Sequence, residues 1–396
     1  MSYFICEENI MSKHFAIVGS LLRPSDLLAI KDELQGRTDI TYPFYDDISN
    51  YAEVEEKATK VIVEEQKAHG LSVISDGEFS KSLWHTDFVW GLGGVERYVA
   101  EHGYYFRDFD GESRYETRKD IGVRIVGKLS GKNHHFISIF KRLKTLAGEN
   151  QTVKLCIPSP SHIFGELSWS DNVGIGAVYE NTDDLRKDLV QAYKDFVSEY
   201  ADNGGEILQF DDCLWEIFAE DNPNSPFTGQ AIDQNTAALE LAQIFIEINN
   251  EVIDYAHDLG LTVWTHNCRG NYASRNMGAG SYDKIADLFL KNFKYDRFFL
   301  EWDDERAGSL KALEVFKNRD TEVVLGLLSS KTAELDDEVR VKKLLEEAAQ
   351  ILPKERLYLS HQCGFASCDN GNELTQKEQW AKIEQGQHLA EEFWNE

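Results

Sequence analysis

No apolar run in the 396-residue chain approaches the roughly 20 residues a membrane-spanning helix needs. The opening stretch, MSYFICEENIMSKHF, has no basic segment leading into an apolar one, so it lacks the pattern of a secretory signal. The six cysteines (Cys6, Cys156, Cys213, Cys268, Cys363 and Cys368) are scattered and contain no CxxC pair. That spacing argues against a disulfide framework and reads as reduced thiols in a cytoplasmic protein. Positive charge is also scarce. Lys and Arg number 41 against 69 Asp and Glu, a net charge of −28. Such a surface argues against nucleic acid or an anionic membrane as the main partner. No repeat, low-complexity tract or linker divides the chain, which reads as one domain over 14–396. Residues 1–13 read as an N-terminal extension, with Met11 as an alternative start.

What is present is alternation between short apolar strands and amphipathic helices. Strands are expected at 15–19, 72–75, 153–157, 206–210, 261–265, 297–300, 322–327 and 356–360. Residues 52–69 place Val54, Ala58, Val61, Ile62 and Ala68 on one stripe, the 3.6-residue period of a half-buried helix. Residues 338–352 do the same with Val341, Leu344, Leu345, Ala348 and Leu352. Further helices are expected at 183–202, 232–258, 283–291, 309–318 and 376–394. Short buried strands without polar alternation suit a parallel sheet. Eight βα units predict an α/β fold, a (β/α)8 TIM barrel. The rival, a doubly wound sheet, usually has a glycine-rich phosphate turn after its first strand, and GSLLRP is not one. Residues 77–152 read as a long insertion between strands 2 and 3, with a strand at 121–127 and a helix near 134–147. Residues 211–231 read as a loop.

In a barrel, the residues that follow each strand share one rim, where barrel enzymes place their sites. Those residues here are Ser20, Asp76 and Glu78, Asp211 and Asp212, His266 and Cys268, Glu301, and His361 and Cys363. His266 and Cys268 form an H-x-C pair, and positions i and i+2 of an extended strand end point the same way. With Glu301 and Cys363 from neighbouring strand ends they make a donor set of two sulfurs, one nitrogen and one oxygen. That set suits tetrahedral zinc, and thiolates favour zinc over magnesium or calcium. An H-x-C pair alone is more often a buried cysteine beside a hydrogen-bonded histidine than a metal site. Glu301 could instead pair with Arg306, and His361 competes as a ligand.

The segments VGSLLRP, SDGEFSKSLWHTDF, LQFDDCLW, WTHNCRGN, FFLEWDDERAG and LSHQCGFAS resemble the cobalamin-independent methionine synthases. They are most similar to short, single-barrel homologues of that enzyme's catalytic C-terminal half, over about residues 14–393. The resemblance implies Zn2+ on His266, Cys268, Glu301 and Cys363, and methyl transfer from a methyl-tetrahydrofolate to homocysteine. It also implies an amino-acid pocket. The segment holding Ile17 and Ser20 would face the substrate carboxylate, and Glu78 and Asp211 its ammonium group. Trp84, Trp90 and Trp169 are candidates to stack on a pteridine, and Arg23 and Lys81 to meet an anionic tail. The family carries a proton-donating histidine after strand 7, where this chain has GLLSSKTAEL. A leaving amine needs a proton, so the acid falls to another group. His361 is the expected candidate, with His85 and Lys331 behind it. The expected partners are therefore a homocysteine-like thiol and a methyl donor, with a homodimer as the assembly to test. Methylated corrinoid, S-methylmethionine or an epoxide are the alternative alkyl donors. A non-catalytic zinc or thiol-binding protein and a metal-free decarboxylase are the remaining alternatives.

Overall fold

Seven strands pair side by side, all in parallel. In spatial order they are Val73–Ile74, Thr152–Pro158, Ile207–Asp212, Thr262–Asn267, Arg297–Glu301, Glu322–Leu328 and Leu357–His361. The computed structural model describes residues 13–109, 111, 113–169, 173–174, 178–219, 235–278 and 280–395. The extension before residue 13, the expected loop beyond residue 219 and the side chain of Trp169 lie outside the described residues. The first expected strand contributes a single parallel bridge, Phe15 to Leu359. Ala16 N donates to Leu359 O at 2.9 Å, and Leu359 N to His14 O at 2.8 Å. Toward Val73–Ile74 a side chain makes the seam, with Ser75 Oγ donating to Gly19 O at 2.6 Å. The sheet is thus the curled parallel sheet of a TIM-barrel-like fold, as expected, with its first strand reduced to a bridge.

Side chains alternate across each strand. Val18, Ile207, Trp264, Phe299 and Val324 pack together inside the curl, with Tyr358 against them. The opposite faces join the larger core beneath the helices. Lys154 sits inside, fully buried. Its Nζ donates to Ile17 O, Val18 O and Gln209 Oε1, each at 2.7 Å, which uses all three ammonium protons. This one side chain ties the weakly paired first segment to the sheet. Lys154→Ala is expected to lower unfolding stability by about 2 kcal/mol, the scale of leaving buried acceptors unpaired. Chemical denaturation against wild type checks it.

The outer helices follow the expected stripes. Tyr51–Ala68 buries Ala58, Ile62 and Val63, and Glu338–Ala349 buries Val341, Leu345 and Ala348. Two expected α-helices differ. Residues 283–291 form one α-helical turn, Tyr282–Ile285, followed by the π-helical Ala286–Leu290. Residues 309–318 form a 3-10 helix, Leu310–Phe316. A helix at Pro160–Trp169 was not expected. Among the described residues no helix is long and apolar enough to cross a membrane.

The insertion is shorter than expected. Its last part, the helix His135–Ala147, packs on Tyr51–Ala68 and on Thr152–Pro158, so it belongs to the barrel's outer layer. The rest holds more strand than the one segment expected. Gly93–Tyr98 pairs antiparallel with Gly122–Ser130, and Tyr105–Arg107 with Arg114–Glu116. The second hairpin leans on the loop after Thr262–Asn267. Arg107 N donates to Asn276 O at 2.8 Å, and Arg275 pairs with Asp108 at 2.8 Å. The insertion therefore walls one side of the rim.

Candidate metal and substrate site

Trp264 and Phe299 point into the barrel, so the residues two positions on, His266 and Glu301, project inward at the rim. Cys268 follows on the loop, and Cys363 comes from the loop after Leu357–His361. One ligand atom from each of these four lies within 4.8 Å of all the others. The Cys268 and Cys363 sulfurs are 3.7 Å apart, and His266 Nε2 is 3.8 Å from Glu301 Oε1. A tetrahedron with bonds of ~2.3 Å has edges of about 3.8 Å, so the spacing fits a zinc–thiolate centre. Among the described residues neither ring nitrogen of His266, nor Glu301 Oε1, has a hydrogen-bond partner. Buried polar atoms are rarely left unpaired without a ligand or water to meet them. The donor set and its unpaired atoms therefore suit a bound metal ion.

The local charges point the same way. The hydrogen bond from Cys268 and the adjacent His266 hold the Cys363 thiol well below its usual range, against its burial. The same hydrogen bond, with burial, pushes Cys268 well up. Two sulfurs thus share one proton. Burial opposes charge on His266, but Cys363, Glu301 and Asp211 outweigh it and carry the imidazole up to about 9. Glu301 does not pair with Arg306, which binds Asp304 instead. Its partner is Arg269, whose Nε donates to Glu301 Oε2 at 3.1 Å. Arg269 is fully buried and also reaches Asp303 at 2.8 Å and Asp304 at 3.5 Å. It orients the carboxylate and leaves Oε1 toward His266. Gly270 N donates to Cys268 Sγ at 3.2 Å.

Beside the four ligands lies a pair of buried acids. Glu78 and Asp211 reach within 4.8 Å of each other and of Cys156. Burial and the charge of Glu78 push Asp211 up to about 7. Burial also raises Glu78, against the pull of Lys81, whose Nζ lies 3.5 Å away. Glu78 is aimed by unusual backbone. It has a positive φ of 61°, directly after Gly77 at 67°, a conformation a non-glycine residue holds at a cost. Ser20 packs under the loop that carries Cys363. Its Oγ accepts from Ala366 N at 3.3 Å, and its carbonyl from Phe365 N at 2.9 Å. A Cβ on Gly364 would come within 2.0 Å of Ser20 Oγ, so only glycine fits beside Cys363.

Several expected residues are engaged elsewhere. His361 lies on the face of its strand opposite Tyr358, turned outward between Phe15 and Phe365. Burial and the charge of Lys382 lower its pKa to about 3. It is not brought to the four ligands, either as acid or as competing ligand. Ile17 has its side chain in the outer core and its carbonyl on Lys154, which reaches Asp211 only through Gln209. Trp90 is core packing, with its ring against Tyr42 and Phe44 and its indole N–H on Gly122 O at 3.1 Å. Arg23 is spent inside the rim, on the carbonyls of Glu78, Lys81, Ala366 and Cys368. Lys81 donates to Cys156 O at 2.7 Å. Lys331 does reach the rim loops, bonding Gly270 O at 3.2 Å and Asn276 Oδ1. Sequence reasoning missed Arg269 and Glu216. Glu216 is buried with neither carboxyl oxygen paired among the described residues, and burial carries it up to about 8. Its signal in the sequence, LWEIF, reads only as apolar loop.

The family model for the catalytic domain of cobalamin-independent synthase matches residues 176–379. The chain belongs to this family. All four candidate ligands and Asp211 fall inside the matched span, while Ile17, Ser20 and Glu78 fall before it. Two Bacillus subtilis proteins, the uncharacterized YxjH and YxjG, are each 36% identical to this chain. YxjH aligns over 95% of the chain and 93% of its own length, and YxjG over 84% of each. A Listeria monocytogenes structure, provisionally named a vitamin-B12 independent methionine synthase, is 28% identical with a TM-score of 0.68. The match covers 98% of this chain and 99% of that one. A Shewanella B12-independent methionine synthase in complex with selenomethionine shares the fold at 18% identity and a TM-score of 0.69, covering 97% and 98%. Family and fold together support methionine-synthase-like methyl transfer.

Proposed function

We propose that the chain transfers a methyl group to the sulfur of homocysteine or a close amino-acid thiol, with zinc on His266, Cys268, Glu301 and Cys363. The observation that carries this reading is one sulfur-rich donor set beside one buried pair of acids. The two lie close enough for Cys363 to bear on Glu78, and His266 on Asp211. Zinc held there supplies a Lewis acid that keeps a substrate thiol as its nucleophilic thiolate at neutral pH. Glu78 and Asp211 bind the ammonium group, an acceptor pair in a site that burial makes unfavourable for their own charge. Ser20 offers a hydroxyl near Cys363 for the carboxylate end. Arg269 keeps Glu301 oriented throughout.

Methyl-tetrahydrofolate is the donor we assign first. A donor without a polyanionic tail is the second reading, because Arg23 and Lys81 are both consumed inside the rim. Methylated corrinoid and S-methylmethionine are of that kind. Methionine formation from homocysteine with each donor in turn separates them. Turnover with another donor and none with methyl-tetrahydrofolate removes the first assignment. X-ray absorption at the zinc edge that does not change on adding homocysteine would instead mark a closed, non-catalytic site.

The acid pair also predicts a pH dependence. Ammonium binding needs Asp211 charged, so affinity for methionine should rise about tenfold per pH unit below 7 and level off above it. The ligand-free protein should do the reverse. Between about pH 4 and 7 the folded form keeps a proton that the unfolded chain has released, so stability falls as pH rises. Titration calorimetry with methionine and scanning calorimetry of wild type and Asp211→Asn check both; the variant should lose the step near pH 7 and keep the slopes that Glu216 and His266 contribute.

A further inference from the structure

A second group of ligating side chains lies on the same rim and is free of sulfur. His162 and Glu166 are four residues apart on the helix Pro160–Trp169, hence on one face. His85 meets them from the segment before Thr86–Trp90. One ligand atom from each lies within 4.8 Å of the others. His85 Nε2 is 3.4 Å from Glu166 Oε1, and His162 Nε2 is 3.7 Å from Glu166 Oε2. A tetrahedron with bonds of ~2.05 Å to nitrogen and oxygen has edges of about 3.4 Å. The three side chains are only 8%, 7% and 10% exposed. Glu166 Oε2 and His85 Nδ1 have no hydrogen-bond partner among the described residues.

The surroundings orient the group. His162 turns Nδ1 toward Asp212 Oδ1 at 3.7 Å. Asp212 is itself fixed, its Oδ2 accepting from Ser159 at 2.8 Å and Ser161 at 3.1 Å. A carboxylate behind a histidine is the usual support for a metal ligand. Tyr104 donates to Glu166 Oε1 and lies 3.4 Å from His85 Nε2. Trp84 covers both imidazoles, its ring centroid 4.7 Å from His85 and 4.8 Å from His162. Cys213 Sγ stands on the Nδ1 side of His162, at 3.9 Å, and so outside the donor set.

We propose that His85, His162 and Glu166 form a second metal site, for a divalent first-row ion held by two imidazoles and one carboxylate. Three protein donors leave a position open for an exogenous ligand. The site flanks the same strand end as the sulfur-rich one, since Cys268 N donates to Asp212 O at 2.8 Å. It does not depend on the methyl-transfer reading.

The test is cobalt titration of the metal-stripped full chain. Wild type should bind two Co2+ per chain. One should show the intense near-ultraviolet absorption of thiolate–cobalt charge transfer, the other only weak visible bands. His162→Gln and Glu166→Gln should each weaken the second equivalent by more than about tenfold and keep the thiolate band. Cys268→Ser should do the opposite, so failure of the sulfur site and failure of this one are read separately. A single equivalent in wild type overturns the proposal. Unchanged binding of both equivalents in the two variants overturns it as well. Circular dichroism monitors their folding, and if neither folds the wild-type stoichiometry and spectrum decide.

Discussion

Cys363→Ser should remove one zinc per chain relative to wild type and cut methyl transfer to homocysteine by at least about 100-fold. Even residues that only support a ligand change metal affinity by about 10–100-fold, and Cys363 is proposed to bind directly. It is also the thiol that its surroundings already hold as a thiolate, through Cys268 and His266. A serine hydroxyl stays protonated in the same place and is a harder donor. Metal analysis and a methionine assay on the same preparation check it, and full zinc retention would remove Cys363 from the site. The proton inventory adds a second reading. Without metal, the sulfurs share one proton and His266 keeps another up to about pH 9. Zinc must displace both, so its affinity should climb as pH rises toward 9. Calorimetry in two buffers of different ionisation heat counts the protons released.

Arg269→Met should lower stability by about 3–5 kcal/mol, the usual cost of stripping one partner from a buried ion pair. The guanidinium is buried against Glu301 and Asp303 and touches Asp304. Without it Glu301, already raised by burial, loses its largest opposing charge. The carboxyl would then hold its proton more tightly and compete with zinc. Zinc affinity should fall about 10–100-fold along with stability. Arg269→Lys keeps the charge but loses the planar fork, so it should recover part of the stability and less of the zinc affinity. Denaturation midpoints and competitive zinc titration separate the two effects.

The barrel was legible because its signals are local. Each strand is a short apolar run, and the stripes of residues 52–69 and 338–352 record which face is covered. The strand ends were equally legible, since parity alone sends His266 inward from Trp264 and Glu301 inward from Phe299. Parity would also have turned His361 outward, had it been counted from Tyr358. The insertion was less readable. Gly93–Tyr98 is mostly polar, and its partner Gly122–Ser130 lies far along the chain. Pairing of that kind leaves little local trace. Arg269 was missed for a similar reason. An arginine in a loop reads as exposed, and only the fold brings three acids around it. His162 and Glu166 were passed over because their helix is short, opens on Pro160 and was not expected at all.

The 3.7 Å between the Cys268 and Cys363 sulfurs has a consequence for handling and for survival under oxidative stress. A disulfide needs about 2.05 Å, so closing the gap asks for ~1.7 Å of movement. Loss of the proposed zinc would leave a reactive thiolate beside a thiol, the arrangement that an oxidant converts to a disulfide by taking two electrons, with release of the one shared proton. Metal depletion and oxidation would therefore inactivate the protein by the same route, and a reductant would be required before zinc could restore it.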